Sequence, residues 1–448
     1  MAYPETMQKI DHLIQARWII PVEPENTLLE HHACAIQEGR ILEILPQEAA
    51  KTKYSATVND QLDEHVLIPG LINTHTHSPM SLFRGLADDL HLMEWLNQHI
   101  WPAEQKWVNE EFVHDGTQLA IAEMLRAGIT HFNDMYFFPE ITARVASSCG
   151  MRATVGLIVI EFPSAWAGNA DEYLSKGLAL HDEVQHDPLI RTAFAPHAPY
   201  TVSDKTFNRI RTYADELQDP IPIHIHLHET RDEIDQSIKE YGVRPIERLD
   251  KLGLLSPSLL AVHMTQLTED EISLIAENGV QVLHCPESNL KLASGFCPVD
   301  KLTQKGINVS LGTDGAASNN DLDILGEMRT AAMLAKAVAE DAAAIPAEQA
   351  LRMATLNGAR ALGIDDETGS LKPGKAADIT AIKLNGLESQ PLYHPISQLV
   401  YATGRHQVTD VWINGKHVLN QRRLTTMDEQ DILEKTQRWR DRIMGSDS

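Results

Sequence analysis

Between residues 69 and 370, strand-like and helix-like segments alternate, and this alternation restricts the architecture of the chain more than any other feature. Residues 111–127 carry apolar side chains at helical spacing and stop at Gly128, a residue suited to ending a helix. Thr130-His131-Phe132-Asn133-Asp134 follows as a strand. The same unit recurs, with strands expected at 152–157, 190–194, 221–227, 259–262, 280–283 and 308–311. The apolar run Val66-Leu67-Ile68 leads into one more before His75, which makes eight. Eight β/α units over about 300 residues predict an α/β fold, a (β/α)8 TIM-type barrel.

The flanks read differently. Leu13-Ile14, Trp18-Ile19-Ile20 and Ala33-Cys34-Ala35-Ile36 are short strand-like runs, and Glu38-Gly39-Arg40 is a hairpin turn before Ile41-Leu42-Glu43-Ile44-Leu45. At the far end, 378–382 and 408–413 repeat the pattern, with a turn at Asn414-Gly415. Neither set closes a core alone. Residues 1–68 and 371–448 are therefore expected to pair into one small β-sandwich built from both termini, flanking a catalytic barrel at 69–370. A length of 448 residues suits a barrel plus such an accessory domain.

Charge and cysteine content narrow the partners. A net charge of −25 argues against a phosphate backbone as ligand and for a free small molecule. The four cysteines show no CxxC spacing and no disulfide-framework density, so reduced, buried thiols are expected. Charged residues interrupt the N-terminal stretch, and no apolar run reaches the roughly 18 residues of a membrane span. The expectation is a cytoplasmic protein without membrane or nucleic-acid partners, whose helical surfaces leave room for a homo-oligomer.

In such barrels the chemistry sits at the C-terminal strand ends. Those ends carry His75, His77, Asp134, His197, His224, His226, His228, Glu229, His263, His284 and Asp314. Residues two apart on a strand point to one face, so His75 and His77 can meet a single ion. A histidine taken singly is more often a satisfied core residue, and Asp314 before Gly315 also fits a turn. Gathered at one rim, however, imidazoles and a carboxylate suit a divalent metal such as zinc. The alternation of His224, His226 and His228 leaves open which of them reaches the ion.

The stretches Pro69-Gly-Leu-Ile-Asn-Thr-His-Thr-His77, Ala195-Pro-His-Ala-Pro-Tyr200, His226-Leu-His-Glu229, Val262-His263 and Gly312-Thr-Asp-Gly315 resemble the amidohydrolase superfamily. More narrowly they are similar to its 5-methylthioadenosine/S-adenosylhomocysteine deaminases. Arg84-Gly-Leu-Ala-Asp-Asp-Leu, Glu94-Trp-Leu, Asp134-Met-Tyr136 and Gly369-Ser-Leu-Lys-Pro-Gly-Lys-Ala-Ala-Asp378 extend the resemblance over nearly the whole chain. It implies that His75, His77, His226 and Asp314 hold one divalent metal ion, normally Zn2+. A ligand histidine with glutamate three residues later selects His226, with Glu229 as the proton-transferring acid/base. His263 would hydrogen-bond the attacking water, and Asp314 would share in its activation. Glu104 matches the position that grips the ribose hydroxyls, and His197 a position that contacts the nucleoside. The implied reaction is hydrolytic deamination of an adenine nucleoside at C6, giving the inosine analogue and ammonia.

Two absences refine this. The fourth strand end carries His197 and no nearby lysine, whereas binuclear relatives use a bridging lysine there. Relatives that take S-adenosylhomocysteine are expected to offer an arginine to its carboxylate after the third strand. Between Ala153 and Ile190 this chain has no arginine and only Lys176 as a cation. A desolvated carboxylate needs a paired partner, so methylthioadenosine or adenosine is favoured. The alternative is another mononuclear member of the superfamily: a guanine, cytosine or triazine deaminase, or a hydrolytic dechlorinase. A non-catalytic barrel is disfavoured because the whole ligand set is present with Glu229 and His263. A nucleic-acid deaminase is disfavoured because the HxE and PCxxC pattern is missing.

Overall fold

In the computed structural model, residues 7–217 and 221–445 are described. Four strands open the chain: β1 (Gln8–Ile19), β2 (Leu29–Gln37), β3 (Arg40–Pro46) and β4 (Tyr54–Pro69). Eight more follow in the middle: β5 (Leu71–Thr76), β6 (Ile129–Asp134), β7 (Arg152–Val159), β8 (Ile190–Pro196), β9 (Ile223–Leu227), β10 (Leu259–His263), β11 (Gln281–His284) and β12 (Val309–Leu311). Near the C-terminus come β13 (Ile379–Lys383), β14 (Val408–Ile413), β15 (Lys416–Asn420) and β16 (Arg423–Leu424).

The eight middle strands form one parallel sheet in the order β12-β11-β10-β9-β8-β7-β6-β5. Helices alternate with them. The helix expected at 111–127 spans Glu110–Arg126, capped at its start by the Asn109 side chain. Strand faces divide by chemistry. On β10 and β11, Leu260, Val262 and Leu283 pack outward with Ile72 and Ala359, which turns the alternate residues, His263 and His284, to the barrel interior.

The first and last strands meet without a regular ladder, through individual hydrogen bonds. Thr74 Oγ1 donates to the Leu311 carbonyl at 2.9 Å, Asn73 Nδ2 to Thr313 Oγ1 at 2.8 Å, and the Asp314 N–H to the His75 carbonyl at 3.0 Å. This seam joins the His75 strand to the Asp314 loop.

The terminal strands form a second sheet, in the order β16-β15-β14-β13-β4-β1-β2-β3. The 16-residue β4 joins the two halves, pairing in parallel with β1 and antiparallel with β13. The sheet encloses a core of Ile14, Ile19, Cys34, Ile36, Ile41, Leu67, Ile379 and Trp412. The layers expected from the two termini are thus one continuous sheet folded about that core. From β4 the chain runs through Gly70 directly into β5, so a single residue joins sheet and barrel. The final helix, Glu429–Gly445, leaves the sheet and lies on the barrel, where Trp439 stacks edge-on against Phe112 and donates to Asp115 Oδ2 at 3.0 Å. All four cysteines are free and buried. No helix among the described residues is long and apolar enough to cross a membrane.

Candidate active site

His75 and His77 leave the end of β5 on its inner face, as the two-residue strand period requires. His226, on β9, meets them with its Nε2 at 3.2 Å from the Nε2 of each. Asp314 Oδ1 lies 3.3 Å from His75 Nε2 and 3.2 Å from His77 Nε2. The four ligand atoms all fall within 4.8 Å of one another. Atoms bound to one zinc-sized ion at about 2.0–2.1 Å stand roughly 3.0–3.4 Å apart, so the observed spacing fits a single ion.

The tautomers fit as well. His77 Nδ1 reaches the Met135 carbonyl at 2.6 Å and His226 Nδ1 the His197 carbonyl at 2.7 Å. His75 Nδ1 reaches His224 Nε2 at 2.8 Å. At His77 and His226 a carbonyl accepts, so the proton sits on Nδ1 and Nε2 is turned toward the point shared with His75 and Asp314. Burial pushes His75 down to about 4 and His226 well below the usual imidazole range, the neutral form that a metal requires. At His77 burial also pulls downward, but the hydrogen bond and charge of Asp314 outweigh it and lift the group to about 9.

The loop after β12 is built around these rings. A Cβ on Gly312 would stand 2.8 Å from both the Cβ and the amide nitrogen of His75, and one on Gly315 would stand 3.1 Å from the Cβ of His77. Asp314 itself has φ +63°, a conformation aspartate tolerates better than most residues. Its Oδ1 accepts from the Gly315 N–H at 2.8 Å, and its Oδ2 from Ser288 Oγ at 2.7 Å and Ser318 Oγ at 2.9 Å.

Glu229 stands at the turn after β9, where His228 has φ +54°. Its amide donates to Glu233 Oε2 at 2.7 Å and its carbonyl accepts from Thr265 Oγ1 at 2.6 Å. The other oxygen of Glu233 accepts from the His228 N–H at 2.9 Å. Glu229 Oε2 is 3.7 Å from His263 Nε2, and burial raises the Glu229 carboxyl above its ordinary range.

Glu229, His263, His197 and Glu104 border one cavity with three residues of the metal cluster, His77, His226 and Asp314. Its wall is largely apolar: Leu92, Trp95, Leu96, Ile100 and Trp101 come from a single segment, and Ile158, Ile160 and Phe162 from the end of β7 and beyond. Among the described residues, no lysine or arginine lines it. Burial lifts Glu104 to about 7 and holds His197 at about 3.

Not every rim residue joins the cluster. Asp134 accepts from the Ser78 N–H at 2.7 Å and Thr76 Oγ1 at 2.8 Å, and so braces the loop behind His77. His224 lies behind His75. His228 is held between the Gln266 carbonyl at 3.1 Å and the Ile246 N–H at 3.1 Å. His284 is buried on β11, outside the four-residue group. Sequence reasoning passed over Ser288, Asn289, Ser318 and Glu233, which hold the site residues in place. The run Pro286-Glu-Ser-Asn289 directly after the seventh barrel strand was the available signal.

Fold and site together define a metal-dependent hydrolase on a (β/α)8 barrel. The model of the Amidohydrolase family matches residues 66–418, and the chain belongs to that family. A 5-methylthioadenosine/S-adenosylhomocysteine deaminase of Teredinibacter turnerae is 49% identical over 434 residues, covering 97% of this chain and 98% of the relative. A 5'-deoxyadenosine deaminase of Methanosarcina mazei is 40% identical over 428 residues, covering 96% and 97%. Among solved structures, an adenosine deaminase from Xanthomonas campestris with bound zinc superposes with a TM-score of 0.97 at 54% identity, covering 98% of this chain and 100% of that one.

Proposed function

We propose that this chain deaminates an adenine nucleoside hydrolytically at C6, with 5'-methylthioadenosine or adenosine preferred to S-adenosylhomocysteine. The observation that carries the reading is the convergence of His75, His77, His226 and Asp314 at the edge of an apolar cavity that also holds Glu229 and Glu104. In this reading residues 69–370 are the catalytic unit, while 1–68 and 371–448 supply the composite sheet and the C-terminal helix.

His75, His77, His226 and Asp314 would hold one divalent ion, Zn2+, which when bound would supply an acidified water, a hydroxide equivalent at neutral pH. Asp314 and His263 orient the water and receive its proton. Glu229, whose carboxyl burial shifts toward the protonated form, delivers its proton to N1 of the purine as the water oxygen bonds to C6. The amino nitrogen then takes up the proton received from the water, the C6 hydroxyl returns its proton to Glu229, and an oxygen electron pair closes the C6=O bond as the C6–N bond breaks and its electron pair leaves with ammonia. Glu104 accepts hydrogen bonds from the ribose hydroxyls and His197 contacts the nucleoside. The aromatic and aliphatic wall around Phe162 suits a methylthio group or a bare 5' end. A carboxylate placed there would lose water without gaining a cation.

The test is a side-by-side measurement of kcat/KM on methylthioadenosine, adenosine, S-adenosylhomocysteine, guanine and cytosine, with metal content determined on the same sample. The expected result is zinc near one per chain, turnover of the two neutral nucleosides, and S-adenosylhomocysteine slower by about tenfold or more. Preference for a free base would overturn the ribose reading. Equal rates on S-adenosylhomocysteine would overturn the account of the cavity wall.

A further inference from the structure

His263 ends β10 with φ +74°, a strained conformation for a residue with a side chain, and it is almost wholly buried. A neutral imidazole carries one N–H, and the partner of one nitrogen decides what the other can do. His263 Nε2 faces the cavity side, 3.7 Å from Glu229 Oε2. His263 Nδ1 lies 2.9 Å from Asn289 Oδ1. An amide oxygen only accepts, so this contact puts the proton on Nδ1 and leaves Nε2 bare.

Asn289 makes no other side-chain hydrogen bond among the described residues. Its Nδ2 is buried without a partner. Leaving a buried donor unpaired costs about 1–3 kcal/mol, and an aliphatic residue of similar size would avoid that cost. Stability alone therefore does not account for an asparagine here. The backbone of Asn289 is fixed at both ends, its N–H donating to the Cys285 carbonyl at 3.0 Å and its carbonyl accepting from the Ser294 N–H at 2.9 Å. The residue before it, Ser288, holds Asp314 Oδ2 at 2.7 Å. One short helix, Pro286–Lys291, thus touches both groups assigned to the attacking water.

We propose that Asn289 is a positioning residue, which fixes His263 as the Nδ1–H tautomer so that Nε2 is free to take the proton of the water. The inference rests on the role given to His263 above.

The experiment uses the zinc-loaded full-length enzyme and four forms: wild type, Asn289→Leu, Asn289→Asp and His263→Ala. The Leu variant removes the acceptor and is expected to lose roughly 10²–10⁴-fold in kcat, with KM, zinc content and Tm little changed. The Asp variant keeps the acceptor and is expected to recover most of that loss, staying within about tenfold of wild type. Histidine-selective ¹⁵N spectra of the wild type give a readout that does not depend on activity. The His263 signal, identified by its absence from His263→Ala, is expected to be protonated at Nδ1. Near-normal kcat in Asn289→Leu with an inactive His263→Ala overturns the role of Asn289 and leaves that of His263 standing. Near-normal kcat in His263→Ala removes both. An Asp variant as slow as the Leu variant, or a wild-type His263 protonated at Nε2, shows that Asn289 is not an acceptor and also overturns the proposal.

Discussion

Glu229 and Asp314 are carboxyls buried at the same cavity, and their surroundings drive them in opposite directions. Burial raises both. At Glu229 nothing reverses it, while at Asp314 the hydrogen bonds and charges of His75 and His77 prevail and hold the group well below the carboxylate range. One is suited to give a proton and the other to bind a cation. Glu229→Gln is expected to lower kcat about 10²–10⁴-fold with zinc content unchanged, as read by steady-state kinetics and metal analysis. Glu104 supplies a pH test. Burial puts it at about 7, so the carboxylate proposed to accept from both ribose hydroxyls is the minority form below that pH and the majority form above it. KM for the nucleoside should fall between about pH 6 and pH 8 in the wild type. In Glu104→Gln, which cannot ionise, that fall should vanish. A parallel KM profile in the two proteins would remove Glu104 from the ribose.

At the scale of elements, the seam between β5 and β12 is the feature on which the metal cluster depends. Three of the four ligands come from strand ends or the loop that closes this seam, and no ladder holds it. Close approach of the two backbones is possible because Gly312 has no side chain where His75 passes. Gly312→Ala would force His75 aside; overpacking of this kind costs about 1–3 kcal/mol. The expected result is a lower Tm together with weaker zinc retention in a chelator competition. A fall in Tm with unchanged zinc affinity would show that the strain is taken up away from His75. The turn after β9 works similarly: Glu233 receives two successive backbone N–H groups at a left-handed corner and so fixes the direction in which Glu229 points.

For the whole molecule, the question is why a barrel of this kind carries a second sheet. β4 belongs to the sheet and β5 to the barrel, with a single residue between them, so a shift of the sheet moves the His75 strand. The two bodies are also locked by an ion pair. Arg152 Nε, at the start of β7, donates to Asp378 Oδ2 at 2.7 Å, and both side chains are nearly inaccessible. The other oxygen of Asp378 accepts from the Asn414 N–H at 2.7 Å, and its backbone carbonyl accepts from the Gly70 N–H at 2.9 Å. Arg152→Ala leaves Asp378 as a buried charge without its cation, which costs about 3–5 kcal/mol. Denaturant unfolding is expected to show that loss. Substituting both partners with apolar residues should recover part of it, and a double variant as unstable as the single one would contradict the ion-pair account.

The order of elements and the chemical inventory were legible in the sequence, because hydrophobic period and residue type are local properties. Eight strand-like runs, the HxH pair, the glutamate three residues after His226 and the aspartate between Gly312 and Gly315 could all be read without a fold. The alternation on β9 could not say which of His224, His226 and His228 faces the centre, because His224 and His226 share one face of the strand. Strand depth and the left-handed turn at His228 decide that, and both are properties of the closed barrel. The partners that orient the site were equally hidden. Ser288, Asn289 and Glu233 act through hydrogen bonds to residues brought near by packing, and the run Pro286-Glu-Ser-Asn289 marks where two of them lie without saying what they touch. A ligand set can be written in one dimension, but the direction in which each ligand points is settled by contacts made only when the barrel closes.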